Sequence, residues 1–117
     1  PEHVLRMDPK NWPEPVNRSF AKLNYPLYLK MQGPSEFGVV GNATLKNWDR
    51  TQDLKQIKVP TLAIGAKHDT MDPEAMKKIS ESVQNGQFLY CPNGSHMSMY
   101  DDQERYYTGI INFLKKL

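Results

Sequence analysis

Residues 59–73 read V-P-T-L-A-I-G-A-K-H-D-T-M-D-P, and this stretch limits what the chain can become. A short apolar run through Gly65, with turn residues directly behind it, fits a strand over Lys58–Gly65 buried on both faces, as strands of a parallel sheet are. Asp72, Pro73 and Glu74 then open a helix: a side-chain acceptor at the N-cap, a proline where no backbone donor is needed, and an acid in the first turn. The helix is expected to run to about Val83, with Asn85-Gly86 as its stop. Gln87–Cys91 reads as a second short strand, and Pro92, Asn93 and Gly94 as the turn after it. From about Asp101 a last helix carries Tyr106, Ile110, Phe113, Leu114 and Leu117 as an apolar stripe, with Lys115 and Lys116 near the negative end of its dipole.

Strand, helix, strand, helix is the signature of an α/β fold with parallel strands, and such sheets need cover on both faces. Two strands cannot form one alone, so further strands are expected from another chain or another segment. The first residue is Pro1 and the opening resembles neither a signal peptide nor a tag, which reads as a piece of a longer protein. The part before residue 54 has a different texture. It holds most of the nine prolines, among them Pro9, Pro13, Pro15, Pro26 and Pro34. Proline removes a backbone donor and restrains its predecessor, so long helices are not expected there. One short helix is predicted from about Pro15 to Leu23, with Val16, Phe20 and Leu23 on one face. The rest, including Y-P-L-Y-L-K-M-Q-G-P-S-E-F-G-V-V-G-N-A-T-L, reads as extended and turn structure.

Charge argues against several partners. Fifteen basic and thirteen acidic residues are spread along the 117 positions, for a formal charge of +2, so no basic block calls for nucleic acid or an anionic membrane. No apolar run approaches the ~18–20 residues that span a bilayer. The single cysteine, Cys91, forms no internal disulfide and reads as a small buried apolar residue; its solitude favours a reducing compartment, here the cytoplasm.

Reactive groups in open parallel sheets collect beyond the carboxyl ends of the strands. Asp69 and His96 both fall just after predicted strands, hence on one edge, in the order acid then histidine. A histidine there can act as general base if an acid fixes its tautomer and stabilises the imidazolium. Asp69 lies in the loop itself, whereas Asp72 is accounted for by its capping role. Ser95 adjoins His96 without the G-x-S-x-G pattern of a nucleophile elbow, which occurs nowhere in the chain, and reads as a turn residue. His68, beside Asp69 and near Asp72, does not complete the four ligands of a zinc site; no metal and no cofactor is expected. His3 has no informative context. Taken singly, Asp69 and His96 also read as turn residues; their shared edge and their order make them the expected acid and base of a triad whose nucleophile lies elsewhere.

M-Q-G-P-S-E-F at 31–37, W-D at 48–49, V-P-T-L-A-I-G-A-K-H-D at 59–69 and G-S-H-M-S-M-Y-D-D at 94–102 together resemble the C-terminal part of the prolyl aminopeptidases, or proline iminopeptidases. These are α/β-hydrolase serine peptidases that remove an N-terminal proline from peptides. The resemblance covers nearly the whole chain, and its most telling element is G-P-S-E-F followed by W-D. It implies that residues 54–117 are the last parallel strands and helices of an α/β-hydrolase core, and residues 1–53 the end of a helical cap and its linker. It implies Asp69 as triad acid, His96 as triad base and Glu36 as the carboxylate that binds the free α-amino group of the substrate. The partners it implies are a peptide with N-terminal proline and an N-terminal segment of the same enzyme bearing the serine. Many members carry a glutamate directly after the triad aspartate; this chain departs from them with Thr70. Two other readings stand beside this one: another capped α/β-hydrolase, such as an esterase or epoxide hydrolase, and a non-catalytic interaction domain that keeps the hydrolase shape.

Overall fold

The computed structural model describes residues 9–34 and 38–117, which form two compact units, Trp12–Arg50 and Thr51–Leu117 with the residues up to Asn11. In the first unit, helix α1 spans Glu14–Ala21 and helix α2 spans Tyr25–Met31. Helix α1 starts behind Pro13 with Pro15 in its first turn, and Trp12 packs on Phe20 with ring centroids 4.9 Å apart. Helix α2 replaces the extended structure expected at Tyr25–Met31. Asn24 is the reason: its side chain accepts the Leu27 N–H at 3.2 Å, and Pro26 sits in the first turn, where its missing donor costs nothing. Proline read as a breaker was here an initiator. Past Gly33, whose φ of 88° favours glycine, the chain turns back so that Thr44 and Leu45 donate to the otherwise unpaired carbonyls of Lys30 and Met31.

The second unit begins with a 3₁₀ turn at Thr51–Gln56 and continues as strand β1 (Thr61–Ala66), helix α3 (Pro73–Ser82), strand β2 (Gly86–Cys91), helix α4 (Ser98–Asp101) and helix α5 (Gln103–Lys115). The strands pair in parallel from Thr61 opposite Gly86 to Ala66 opposite Cys91, with α3 as the crossover between them. Asp72 caps α3 through the Glu74 N–H at 2.9 Å, as its sequence neighbours require. Gly86 is dictated by packing, because a Cβ there would collide with the Ser80 carbonyl at the end of α3.

Alternation divides the strand residues between two faces. Ala66, Leu89 and Cys91 are buried on one, with Leu62, Ile64 and Tyr106 of α5 packed around them. Gly65 and Phe88 meet α3 on the other, where Pro73 comes so close to Gly65 that a Cβ there would lie 3.1 Å from it. Helix α5 seats Tyr106, Ile110 and Phe113 against the unit, as its periodicity predicts. Leu114 and Leu117 of the expected stripe are instead 56% and 67% exposed, since the last turn of α5 runs past a sheet that has two strands among the described residues. The chain enters α5 through the separate turn of α4, which the sequence pattern did not reveal.

Candidate functional site

Because β1 and β2 run parallel, the loops that follow them emerge on the same edge of the sheet. The backbone joins these loops directly. Lys67 N–H donates to the Cys91 carbonyl at 3.1 Å, and His68 N–H donates to the Gly94 carbonyl at 2.9 Å. This continues the strand ladder past the ends of the strands and fixes the distance between residues 69 and 96, which lie 27 positions apart.

At that junction His96 Nδ1 lies 3.2 Å from each carboxylate oxygen of Asp69. The carboxylate is well shielded, its side chain 13% exposed, while the imidazole is 52% exposed. Asp69 is itself oriented: Oδ1 accepts the Met71 N–H at 3.0 Å and faces the Thr70 hydroxyl at 3.5 Å. A carboxylate against Nδ1 holds the proton on that nitrogen and leaves Nε2, across the ring, able to accept one. Asp72, the other acid of the stretch, is exposed and occupied with Glu74, so the two aspartates have separate tasks.

The histidine loop rests on groups that the sequence pattern underrated. Ser95 lies in the loop between β2 and α4, and it is almost fully buried, at 2% exposure. Its N–H donates to Asp101 Oδ1 at 3.0 Å and its hydroxyl to Asp101 Oδ2 at 2.5 Å. Ser95 Oγ in turn accepts the Met97 N–H at 3.1 Å, and the Ser98 hydroxyl donates to the Ser95 carbonyl at 2.7 Å. Asp102 accepts the Asn93 N–H at 3.1 Å. The hydroxyl of Ser95 is therefore committed to the scaffold. The sequence signal for these contacts is the D-D pair at the end of G-S-H-M-S-M-Y-D-D, legible only once the loop is known to fold back on it.

Cys91 closes β2 beneath this loop with no exposure, and burial, reinforced by the nearby Asp102 charge, pushes its thiol above the ordinary 9.0. It is a packing residue, as its sequence context suggested. His68 is half-buried and enters through its backbone. Among the described residues no group of three or more His, Cys, Asp or Glu side chains could hold a metal ion, and no helix is long and apolar enough to cross a membrane. His3 and Glu36 lie outside the described residues.

No protein-family profile matches the chain. Individual relatives do. It is 54% identical over 114 residues to a proline iminopeptidase of Chitinophaga pinensis and 49% identical over 114 residues to one of Elizabethkingia meningoseptica, in both cases along 97% of its own length. A proline iminopeptidase of Saccharolobus solfataricus is 33% identical along 99% of the chain. The chain spans about 38% of the length of the first two relatives, corresponding to their C-terminal part. Among solved structures, the crystal structure of VinJ superposes with a TM-score of 0.80 at 30% identity, over 96% of this chain and 37% of VinJ. The fold is that of the C-terminal part of an α/β-hydrolase.

Proposed function

We propose, from the premise that this chain is the counterpart of the C-terminal part of the proline iminopeptidases, that it supplies the acid and the base of a serine exopeptidase releasing N-terminal proline from peptides. The observation that carries the proposal is the Asp69–His96 pair at 3.2 Å, on loops that leave one sheet edge in the order acid then histidine. In this reading His96 Nε2 takes the proton of a serine hydroxyl as that oxygen attacks the peptide carbonyl. The same nitrogen then returns the proton to the leaving amine, and an acyl-enzyme remains for water to hydrolyse. Asp69 keeps its charge and stabilises the imidazolium. The serine and the oxyanion donors belong to the segment that corresponds to the remainder of the relatives, and the Asp101-bound hydroxyl of Ser95 is not the nucleophile.

Glu36 is proposed as the group that reads the free amine. A carboxylate in a partly dehydrated pocket pairs with the charged α-amine, which favours removal of a terminal residue over internal cleavage. Glu36→Gln keeps the shape and removes the charge. In the complete enzyme its transition-state binding should fall by about 2–4 kcal/mol on a proline anilide, roughly 30- to 1000-fold in kcat/KM. An aryl ester lacking a free amine should barely respond. Equal losses on both substrates would make Glu36 a structural residue, and no loss on either would leave the amine to another group. His96→Ala tests the triad itself and should abolish turnover of both substrates.

A further inference from the structure

His96 has an exposed ring, so its aim at Asp69 depends on how firmly its backbone is held. Both of its neighbours in the chain are buried, Ser95 at 2% and Met97 at 7% exposure. The backbone N–H groups of both are fixed through one carboxylate. Asp101 takes the N–H and the hydroxyl of Ser95, and the oxygen of that hydroxyl takes the N–H of Met97. The turn is thus bracketed on either side of His96 by a hydrogen-bond relay that starts at Asp101, five positions downstream on α4. On the far side, the Gly94 carbonyl is tied to the acid's own loop by His68.

We infer that Asp101 is a positioning residue for the general base: through Ser95 it holds the 95–97 backbone where His96 Nδ1 reaches both oxygens of Asp69. The inference rests on the triad reading given above. Without the carboxylate, the Ser95 N–H and hydroxyl lose their acceptor at a site nearly closed to water. Leaving such groups unpaired is costly, so the turn moves outward until they are hydrated. A movement of about 1 Å lengthens the contact to Asp69 beyond hydrogen-bond range, and misplacements of that size cost on the order of 100-fold in rate.

The test uses the complete polypeptide carrying the residues of this chain, with turnover counted per folded molecule. Asp101→Asn keeps the volume and one acceptor but cannot serve both donors of Ser95. Its kcat should fall roughly 10- to 100-fold with KM nearly unchanged, equally for proline anilide and aryl ester, because the base serves both substrates. The far-downfield Nδ1 proton signal of an imidazole bound to a carboxylate should weaken or shift at the same time. Ser95→Ala, which removes only the relaying hydroxyl, should lower kcat about tenfold, and in that background Asp101→Asn should cost clearly less than it does alone, as expected of groups acting in series. Should Asp101→Asn fail to fold, Ser95→Ala alone decides the matter through the same two readouts. A kcat within twofold of the parent and an unmoved Nδ1 proton, with His96→Ala inactive, would overturn the positioning role and leave the triad standing. An active His96→Ala would sink both together.

Discussion

Replacing Asp69 by asparagine changes one oxygen to an amide nitrogen, and the structure decides which one. Oδ1 accepts the Met71 N–H at 3.0 Å, and the Thr70 hydroxyl lies nearby. An amide nitrogen at that place would face the Met71 donor, so the asparagine oxygen takes the Oδ1 position and the NH₂ group the Oδ2 position. That NH₂ lies 3.2 Å from His96 Nδ1 and donates to it, while the oxygen kept at the Oδ1 position, at the same 3.2 Å, is already engaged by the Met71 N–H and is a weaker acceptor than a carboxylate. The proton of a neutral imidazole is thereby driven to Nε2, the nitrogen that must accept from the serine. The base is present, correctly placed and in the wrong tautomer. In the complete enzyme kcat should fall by roughly 10⁴, or about 5.5 kcal/mol of barrier, the scale of such a tautomer change in a serine triad. Stability should hardly change, since the Met71 N–H keeps its acceptor. The assay is proline release from a proline anilide beside a thermal melt, with ¹⁵N chemical shifts of the His96 ring to read the tautomer directly. Asp72→Asn is the internal comparison: its partner is the Glu74 N–H at 2.9 Å, asparagine caps a helix about as well as aspartate, and activity should stay within about twofold. Activity of Asp69→Asn within tenfold of the parent, or a crippled Asp72→Asn, would refute the reasoning.

Three further outcomes are expected. The 117-residue chain by itself should release no proline, because an acid and a base without nucleophile and oxyanion hole form no acyl-enzyme; turnover by the chain free of any companion polypeptide would contradict this. Gly86→Ala should destabilise the complete protein by at least about 1–3 kcal/mol, because its Cβ meets the backbone carbonyl of Ser80, which has no rotamer by which to retreat; an unchanged melting temperature would show that the end of α3 yields. Cys91 should resist alkylation in the native protein and react once it is denatured. Its folded-state thiol is raised above 9.0, so the folded form holds the proton longer than the unfolded one. The associated stability is complete below 9.0 and declines as pH rises through the folded value, and a denaturant midpoint insensitive to pH in that alkaline window would count against it.

What the sequence determined by itself is local. Turn residues behind an apolar run, an aspartate followed by proline and glutamate, and Asn85-Gly86 after the helix are short-range instructions, and β1, α3 and β2 stand within a few residues of where they point: β1 begins at Thr61 instead of Lys58, and Gly86 opens β2. Parallel pairing followed from having a helix between the strands, and it alone puts residues 69 and 96 on one edge. The sequence could not separate propensity from context in Tyr25–Met31, where the same proline ends a helix or begins one depending on whether a cap stands ahead of it; Asn24, two positions before Pro26, made it a beginning. The end of the apolar stripe failed for another reason: periodicity tells which face of α5 is apolar but not how much sheet lies beneath it, so Leu114 and Leu117 carry the pattern without the burial. The fine structure of the site belongs to tertiary contacts. Asp69 and Asp72 are three positions apart and chemically identical; only the bonds from His68 to Gly94 and from Met71 to Asp69 make one face His96 and leave the other to cap a helix. In one dimension Ser95 looks like an ordinary turn residue and Asp101 like the start of a helix. Burial of the serine and a carboxylate six positions away turn them into the support of the histidine, because a hydrogen bond between residues on different turns is specified by where the backbone goes and by no local pattern of residue types.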